Sequence, residues 1–207
     1  MKKILLVSYT PRIDSNTQKL VDAYLQATGD TSQITPLDLV KEPAPLLLDD
    51  HVNALLKRNY MGMALTDAES KSIQKIDALL QQLLDTDRIV IAFPMYNFSV
   101  PATVKAWIDT LVQNGKTFKI TDDGAYEGLC HGKKALILMT TGGDYSEEPM
   151  KSMDYAVPLI QSCFGFMGIE SHAITAYGLN QYMDRADDIV HDAQQEIARY
   201  VSDSSSW

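Results

Sequence analysis

The chain has 207 residues, 45% apolar and 22% charged, an ordinary balance for one globular domain closed around a single sheet. Its net charge of −9 excludes a nucleic-acid surface, because backbone phosphates demand a basic patch. Cys130 and Cys163 are too few for a disulfide framework, and no apolar run is long enough for a signal peptide or membrane span, so the chain reads as cytoplasmic.

Residues 2–8, KKILLVS, are a continuous apolar run ended by polar residues, the mark of a strand covered on both faces. YTPRIDSNT follows, then a helix with Leu20, Val21, Tyr24 and Leu25 at helical spacing. Residues 32–39 make a second strand, which Pro36 assigns to a sheet edge. Residues 40–65 are irregular around Pro43 and Pro45, with a helix over about 49–60. A further helix opens at Thr66 with Glu69 three residues on, the capping-box pattern, and carries the stripe Ile73, Ile76, Leu79, Leu80, Leu83 and Leu84.

RIVIAF, residues 88–93, is the third strand. The helix begun near Pro101 carries Val104, Trp107, Ile108 and Leu111 and stops at Asn114-Gly115. Residues 116–128 alternate around Asp123-Gly124, which predicts an exposed hairpin or flap. A fourth strand over 133–141, a helix over about 153–167, a last strand over 172–177 and a helix over about 183–201 complete the chain. With no internal repeat and no long linker, residues 1–202 read as one domain, and residues 203–207 as a disordered tail.

Strands alternating with helices predict an α/β fold: a doubly wound, five-stranded parallel sheet in the order 2-1-3-4-5, with helices on both faces. In that order the chain reverses direction between strands 1 and 3, and ligands bind beyond their carboxyl ends. Three loops meet there. The first has neither G-x-G-x-x-G nor a Walker phosphate loop, but it sets Thr10, Ser15, Asn16 and Thr17 where a helix starts, a suitable phosphate site. Arg12 adds a positive charge there or faces solvent; taken alone, Ser15 or Asp14 capping the helix is the plainer reading.

The second loop, Met95, Tyr96, Asn97 and Phe98, offers a flat, polarisable wall with one amide side chain, rather than core aromatics turned inward. The third, TTGGDY from Thr140 to Tyr145, carries Gly142 and Gly143, which let backbone N–H groups approach a ligand closely. Phosphate donors, an aromatic wall and a glycine cradle on one edge fit a flat mononucleotide, and FMN fits that description best.

The stretches PMYNFSVPATVKAWID, GKTFKITDDGAYEGL, GKKALILMTTGGDY and CFGFMGI resemble the FMN-dependent NADH:quinone oxidoreductases, also called NADH-azoreductases. The similarity runs in order over most of the chain and is weakest in 40–65 and at the tail. It implies a flavodoxin-like fold, non-covalent FMN and a homodimer with both active sites at the interface.

It further implies that Thr10, Ser15, Asn16 and Thr17 hold the FMN phosphate, and that Pro94, Met95, Tyr96, Asn97 and Phe98 line the isoalloxazine, with the Asn97 backbone near N5. Thr140, Thr141, Gly142 and Gly143 surround the pyrimidine edge on this reading, with Tyr145 close by. Two departures stand out: the family often has arginine where this chain has Thr141, and an aromatic where it has Ile120. Both border the substrate pocket.

The implied chemistry is ping-pong: NADH or NADPH reduces the flavin and leaves, and a quinone or azo compound then takes two electrons. No side-chain general base is required, and no metal: His51, His131, His172 and His191 show no ligand spacing. Two other classes stay open. A flavodoxin-type electron carrier fits the fold, although the flap and the 40–65 segment favour an enzyme. A phosphoester hydrolase fits a hydroxyl-rich helix start, but the loop lacks a cysteine nucleophile, and Asp38 is a lone strand-end carboxylate.

Overall fold

A computed structural model of the chain describes every residue except 30, 31 and 204–206. The strands among the described residues are β1 (Lys2–Ser8), β2 (Ser32–Asp38), β3 (Arg88–Pro94), β4 (Phe118–Ile120), β5 (Tyr126–Gly128), β6 (Lys134–Thr140) and β7 (Glu170–Ala176). Five of them make one parallel sheet in the order β2-β1-β3-β6-β7. With the short β4–β5 hairpin set aside, that is the expected order 2-1-3-4-5. The edge strand β2 carries Pro36 opposite Leu6, where its missing N–H interrupts no central ladder.

The α-helices among the described residues are α1 (Asn16–Thr28), α2 (Asp49–Asn59), α3 (Asp67–Ser72), α4 (Gln74–Leu84), α5 (Ala102–Leu111), α6 (Ala156–Phe166) and α7 (Ala186–Ser202). The pleat sends alternate strand residues to opposite faces, so each central strand feeds two cores. Leu5, Val7, Ile89, Ile91 and Phe93 pack with Leu83 of α4, Trp107 of α5 and Phe164 of α6. Ile4, Leu6, Val90 and Leu136 pack with Leu20 and Tyr24 of α1 and Ile197 of α7. Truncating Trp107, which is fully buried, would cost roughly 3–5 kcal/mol of stability.

The single helix expected from Thr66 to Leu84 is two. It breaks at Ile73, which is fully buried with φ −95° and ψ 6° and whose N–H is shared between Glu69 O and Lys71 O. The capping box is present: Thr66 Oγ1 accepts from Glu69 N at 3.3 Å, and Glu69 Oε2 accepts from Thr66 N at 2.7 Å. Lys57 on α2 bonds the same carboxylate at 2.7 Å. Arg58 grips Asp77 of α4 through two bonds of 2.7 and 2.9 Å, so the irregular 40–65 region is clamped to the domain through α2.

The last strand ends at Ala176, one residue before expectation, and the helix after it starts with a single 3-10 turn, Met183–Arg185. Of the tail expected to be disordered, residues 204–206 lie outside the described residues. Trp207 is described: its ring meets Tyr24 edge-on at 6.0 Å and sits 5.9 Å from the Arg88 guanidinium. Among the described residues no helix is long and apolar enough to cross a membrane.

Candidate functional site

β1 and β3 are neighbours, yet their following helices lie on opposite faces, so a crevice opens beyond their carboxyl ends. Its floor begins at the start of α1. Ser15 has extended backbone and its Oγ accepts from Gln18 N at 3.2 Å, so the capping interaction is made. The first-turn amides of Asn16 and Thr17 lie ahead of it, and a helix offers them no intrahelical acceptor. Thr17, almost fully buried, meets Thr140 across the crevice with hydroxyl oxygens 2.6 Å apart, which ties the start of α1 to the end of β6. Thr10 turns aside to donate to Gln18 Oε1 at 3.0 Å.

The wall follows from β3. Met95 N donates to Thr140 O at 2.9 Å, which extends the β3–β6 ladder by one rung. Tyr96 and Ser99 then exchange backbone bonds of 2.9 and 3.0 Å around Asn97 and Phe98. Both central residues have positive φ, 47° and 69°, the pattern of a type I′ turn. The turn pushes Tyr96 and Phe98 outward, 41% and 39% exposed, so neither is a core aromatic. Tyr9 meets Tyr96 edge-on at 6.0 Å. Burial, and then Tyr9, raise the Tyr96 phenol above its usual value while Arg12 opposes the shift.

The third side is the 140–143 loop, stitched to residues 176–181 after β7. Leu179 N donates to Thr141 O at 3.0 Å, and Asn180 N and Gln181 N both donate to Gly142 O at 2.9 Å. A Cβ on Gly142 would stand 2.7 Å from Asn180 Nδ2, and one on Gly143 would stand 3.2 Å from the Tyr145 ring. The protein's own side chains therefore crowd the glycine pair, and a larger residue would make Asn180 or Tyr145 shift, a constraint additional to the ligand approach expected from sequence. Beyond it, the Ser146 side chain and then its N–H hold the Asp144 carboxyl below its usual range.

Of the residues expected at the site, Ser15, Asn16, Thr17, Pro94, Met95, Tyr96, Thr140, Thr141 and Gly142 line one cleft. Thr10, Asn97, Phe98, Gly143 and Tyr145 stand outside its lining; Phe98 and Tyr145 meet edge-on at 6.2 Å. Pro11, Leu179 and Asn180 also line the cleft and were missed, along with Arg12, whose placement was left open. The signal for Leu179 and Asn180 was their position just past a strand end, but it becomes usable only once β7 is known to neighbour β6.

Among the described residues no group of three or more His, Cys, Asp or Glu is arranged to hold a metal. Burial raises the thiols of Cys130 and Cys163, the opposite of what a nucleophilic thiolate needs. What the cleft offers is amide and hydroxyl donors, an aromatic lip and no side-chain base. That donor set fits a phosphorylated planar ring such as FMN.

Comparison with known proteins agrees in outline. A family model described as a flavodoxin-like fold matches residues 2–201. An FMN-dependent NADH:quinone oxidoreductase 2 of Bacillus cereus is 37% identical, covering 98% of this chain and 99% of its own. FMN-dependent NADH:quinone oxidoreductase 1 of Bacillus subtilis (strain 168) is 35% identical over 95% and 96% of the two chains. Among solved structures, an azoreductase from Bacillus anthracis str. Sterne superposes with a TM-score of 0.90 at 33% identity, covering 97% of this chain and 99% of that one.

Proposed function

Since the chain belongs to the flavodoxin-like family, with FMN-dependent NADH:quinone oxidoreductases related over nearly its whole length, we propose that it is such an enzyme, reducing quinones and azo compounds with FMN and NADH. The observation that carries this reading is the cleft at the switch point, lined by a helix start, hydroxyls and Arg12 with no carboxylate, and bounded by an exposed aromatic lip. When bound, FMN takes two electrons from NADH and gives them to the acceptor. NADPH is the alternative donor.

The residues divide the task. The amides of Asn16 and Thr17, with the hydroxyls of Ser15 and Thr17, receive the phosphate; anions are stabilised at a helix N-terminus by roughly 0.3–1 kcal/mol or more. Met95 and Tyr96 would cover the ring, with the Asn97 backbone near its N5. Phe98 and Tyr145 form the rim against which donor and acceptor lie. Donor and acceptor would occupy that rim in turn, which would make the kinetics ping-pong.

A homodimer completes the rim. Leu48 and Met61 from the 40–65 region, Tyr126 of the flap and Tyr155 before α6 are 58%, 65%, 64% and 60% exposed, apolar side chains that a partner subunit would cover. Free cysteines and the lack of a spanning helix among the described residues suit a cytoplasmic enzyme.

The test is an anaerobic absorbance titration of the protein with FMN, then NADH, then a quinone. Bleaching by NADH and recovery with quinone is the expected result. Flavin that binds but is bleached by neither NADH nor NADPH would make the protein an electron carrier; no flavin binding would overturn the assignment. Asn97→Leu should weaken FMN retention or slow bleaching.

A further inference from the structure

The loop that borders the pyrimidine edge on this reading has every carbonyl bonded back into the protein. Thr140 O accepts from Met95 N at 2.9 Å, Thr141 O from Leu179 N at 3.0 Å, and Gly142 O from Asn180 N and Gln181 N at 2.9 Å. Gly143 O accepts from Gly178 N at 3.0 Å and from Thr141 Oγ1 at 2.6 Å. The C=O and N–H of a peptide plane point opposite ways. Tying back the carbonyls of Thr141 and Gly142 therefore turns out the amides of Gly142 and Gly143, which donate to nothing among the described residues.

One side chain maintains this arrangement. Thr141 is only 3% exposed, and its hydroxyl donates to Gly143 O and accepts from Gly178 N at 3.3 Å. Glycine backbones turn over readily, so a glycine pair with one end released can rotate a carbonyl toward the cleft. A carbonyl there would set an acceptor where donors now stand.

We propose that Thr141 is a positioning residue for the electron transfer: its hydroxyl keeps the Gly142–Gly143 segment presenting donors only, which favours the reduced cofactor. The proposal rests on the FMN reading above. NADH passes one hydride, two electrons and a proton, and leaves as NAD⁺. The neutral oxidised isoalloxazine ring of FMN would thereby gain one negative charge, spread over its pyrimidine edge. Fixed amide donors facing that edge stabilise the charge without reorganising.

The test measures the two-electron midpoint potential of FMN bound to the wild type and to Thr141→Val and Thr141→Ser, alongside the FMN dissociation constant of each. Valine removes the hydroxyl at nearly constant shape and serine restores it. Thr141→Val is expected to lose about tenfold in preference for reduced over oxidised FMN, a fall of about 30 mV for a two-electron couple, with Thr141→Ser near wild type. A Val variant that binds FMN at the wild-type potential overturns the proposal, as does an equal shift in Val and Ser. If the Val variant fails to fold, Thr141→Ala is judged by the same two criteria. A wild type that binds no FMN overturns the FMN reading itself and this proposal with it.

Discussion

Two of the tight turns among the described residues, at the flap and at the lip, take left-handed backbone and meet the need with different residues. The flap turn between β4 and β5 places Gly124 at φ 83°, with nothing within 4 Å of where a Cβ would sit. The lip turn places Asn97 at 47° and Phe98 at 69°. Left-handed backbone costs a side-chain-bearing residue roughly 1–2 kcal/mol, and asparagine tolerates it through local hydrogen bonding, whereas phenylalanine has no such relief. Where only a chain reversal is needed, glycine supplies it. Where strain is accepted, the side chain is held for something other than the fold, and Phe98 stands against Tyr145 at the rim of the cleft.

The flap's base offers the largest effect. A Cβ on Gly128 would meet Gly168 N at 2.3 Å and Met167 C at 2.4 Å, main-chain atoms that cannot swing aside. Gly128→Ala is expected to cost roughly 3 kcal/mol or more in urea unfolding, as overpacking against backbone does. At the flap's tip, Gly124→Ala should cost about 1 kcal/mol and leave FMN retention unchanged.

Phe98→Gly inverts that pattern. Relief of strain, about 1–2 kcal/mol, offsets the added chain freedom of glycine, roughly 0.5–1 kcal/mol, so stability should stay within about 1 kcal/mol of wild type. Quinone turnover should fall roughly tenfold or more because substrate positioning is lost. A loss of stability of roughly 3–5 kcal/mol, as for a buried phenylalanine, would dissolve the contrast between the turns.

Acid gives the smallest and most local effect. The Asp123 carboxylate accepts from the Thr121 hydroxyl and from Ala125 N across the flap turn. The Thr121 bond first, then the Ala125 bond, hold its pKa below the usual 3.8. A depressed folded-state value means that stability is contributed above pH 3.8 and lost as pH falls through the lowered value. Protection of the flap amides, taken relative to their intrinsic exchange rates, should fall on acidification below 3.8, while the lip turn, which has no carboxylate between Tyr96 and Ser99, should not respond through this route. Equal loss of protection at both turns would count against Asp123 as the cause.

Much of the architecture was legible along the chain because burial on both faces of a parallel strand leaves a local signature. The run Ile89, Val90, Ile91, Ala92 reads as a central strand, Pro36 marks an edge, and Thr66 with Glu69 marks a helix start, each from neighbours within a few residues. The hydroxyls after β1, the lip after β3 and the glycine pair after β6 were legible as loops for the same reason.

Other features depend on residues far apart in sequence, and only the tertiary structure decided them. That Asn180 fills the space beside Gly142 requires β7 to lie next to β6; that Thr17 meets Thr140 spans 123 positions. The break at Ile73 answers to the pocket that buries it, against a helical pattern that continues unbroken. The left-handed Phe98 contradicts its own preference, because the ladder bonds of Met95 and Ser99 determine the turn from outside. Local pattern specifies which residues must be buried and where the chain must turn. Which loops then face one another, and which side chains bear strain to do so, is settled by sheet order, a property of long-range pairing that no short window of sequence contains.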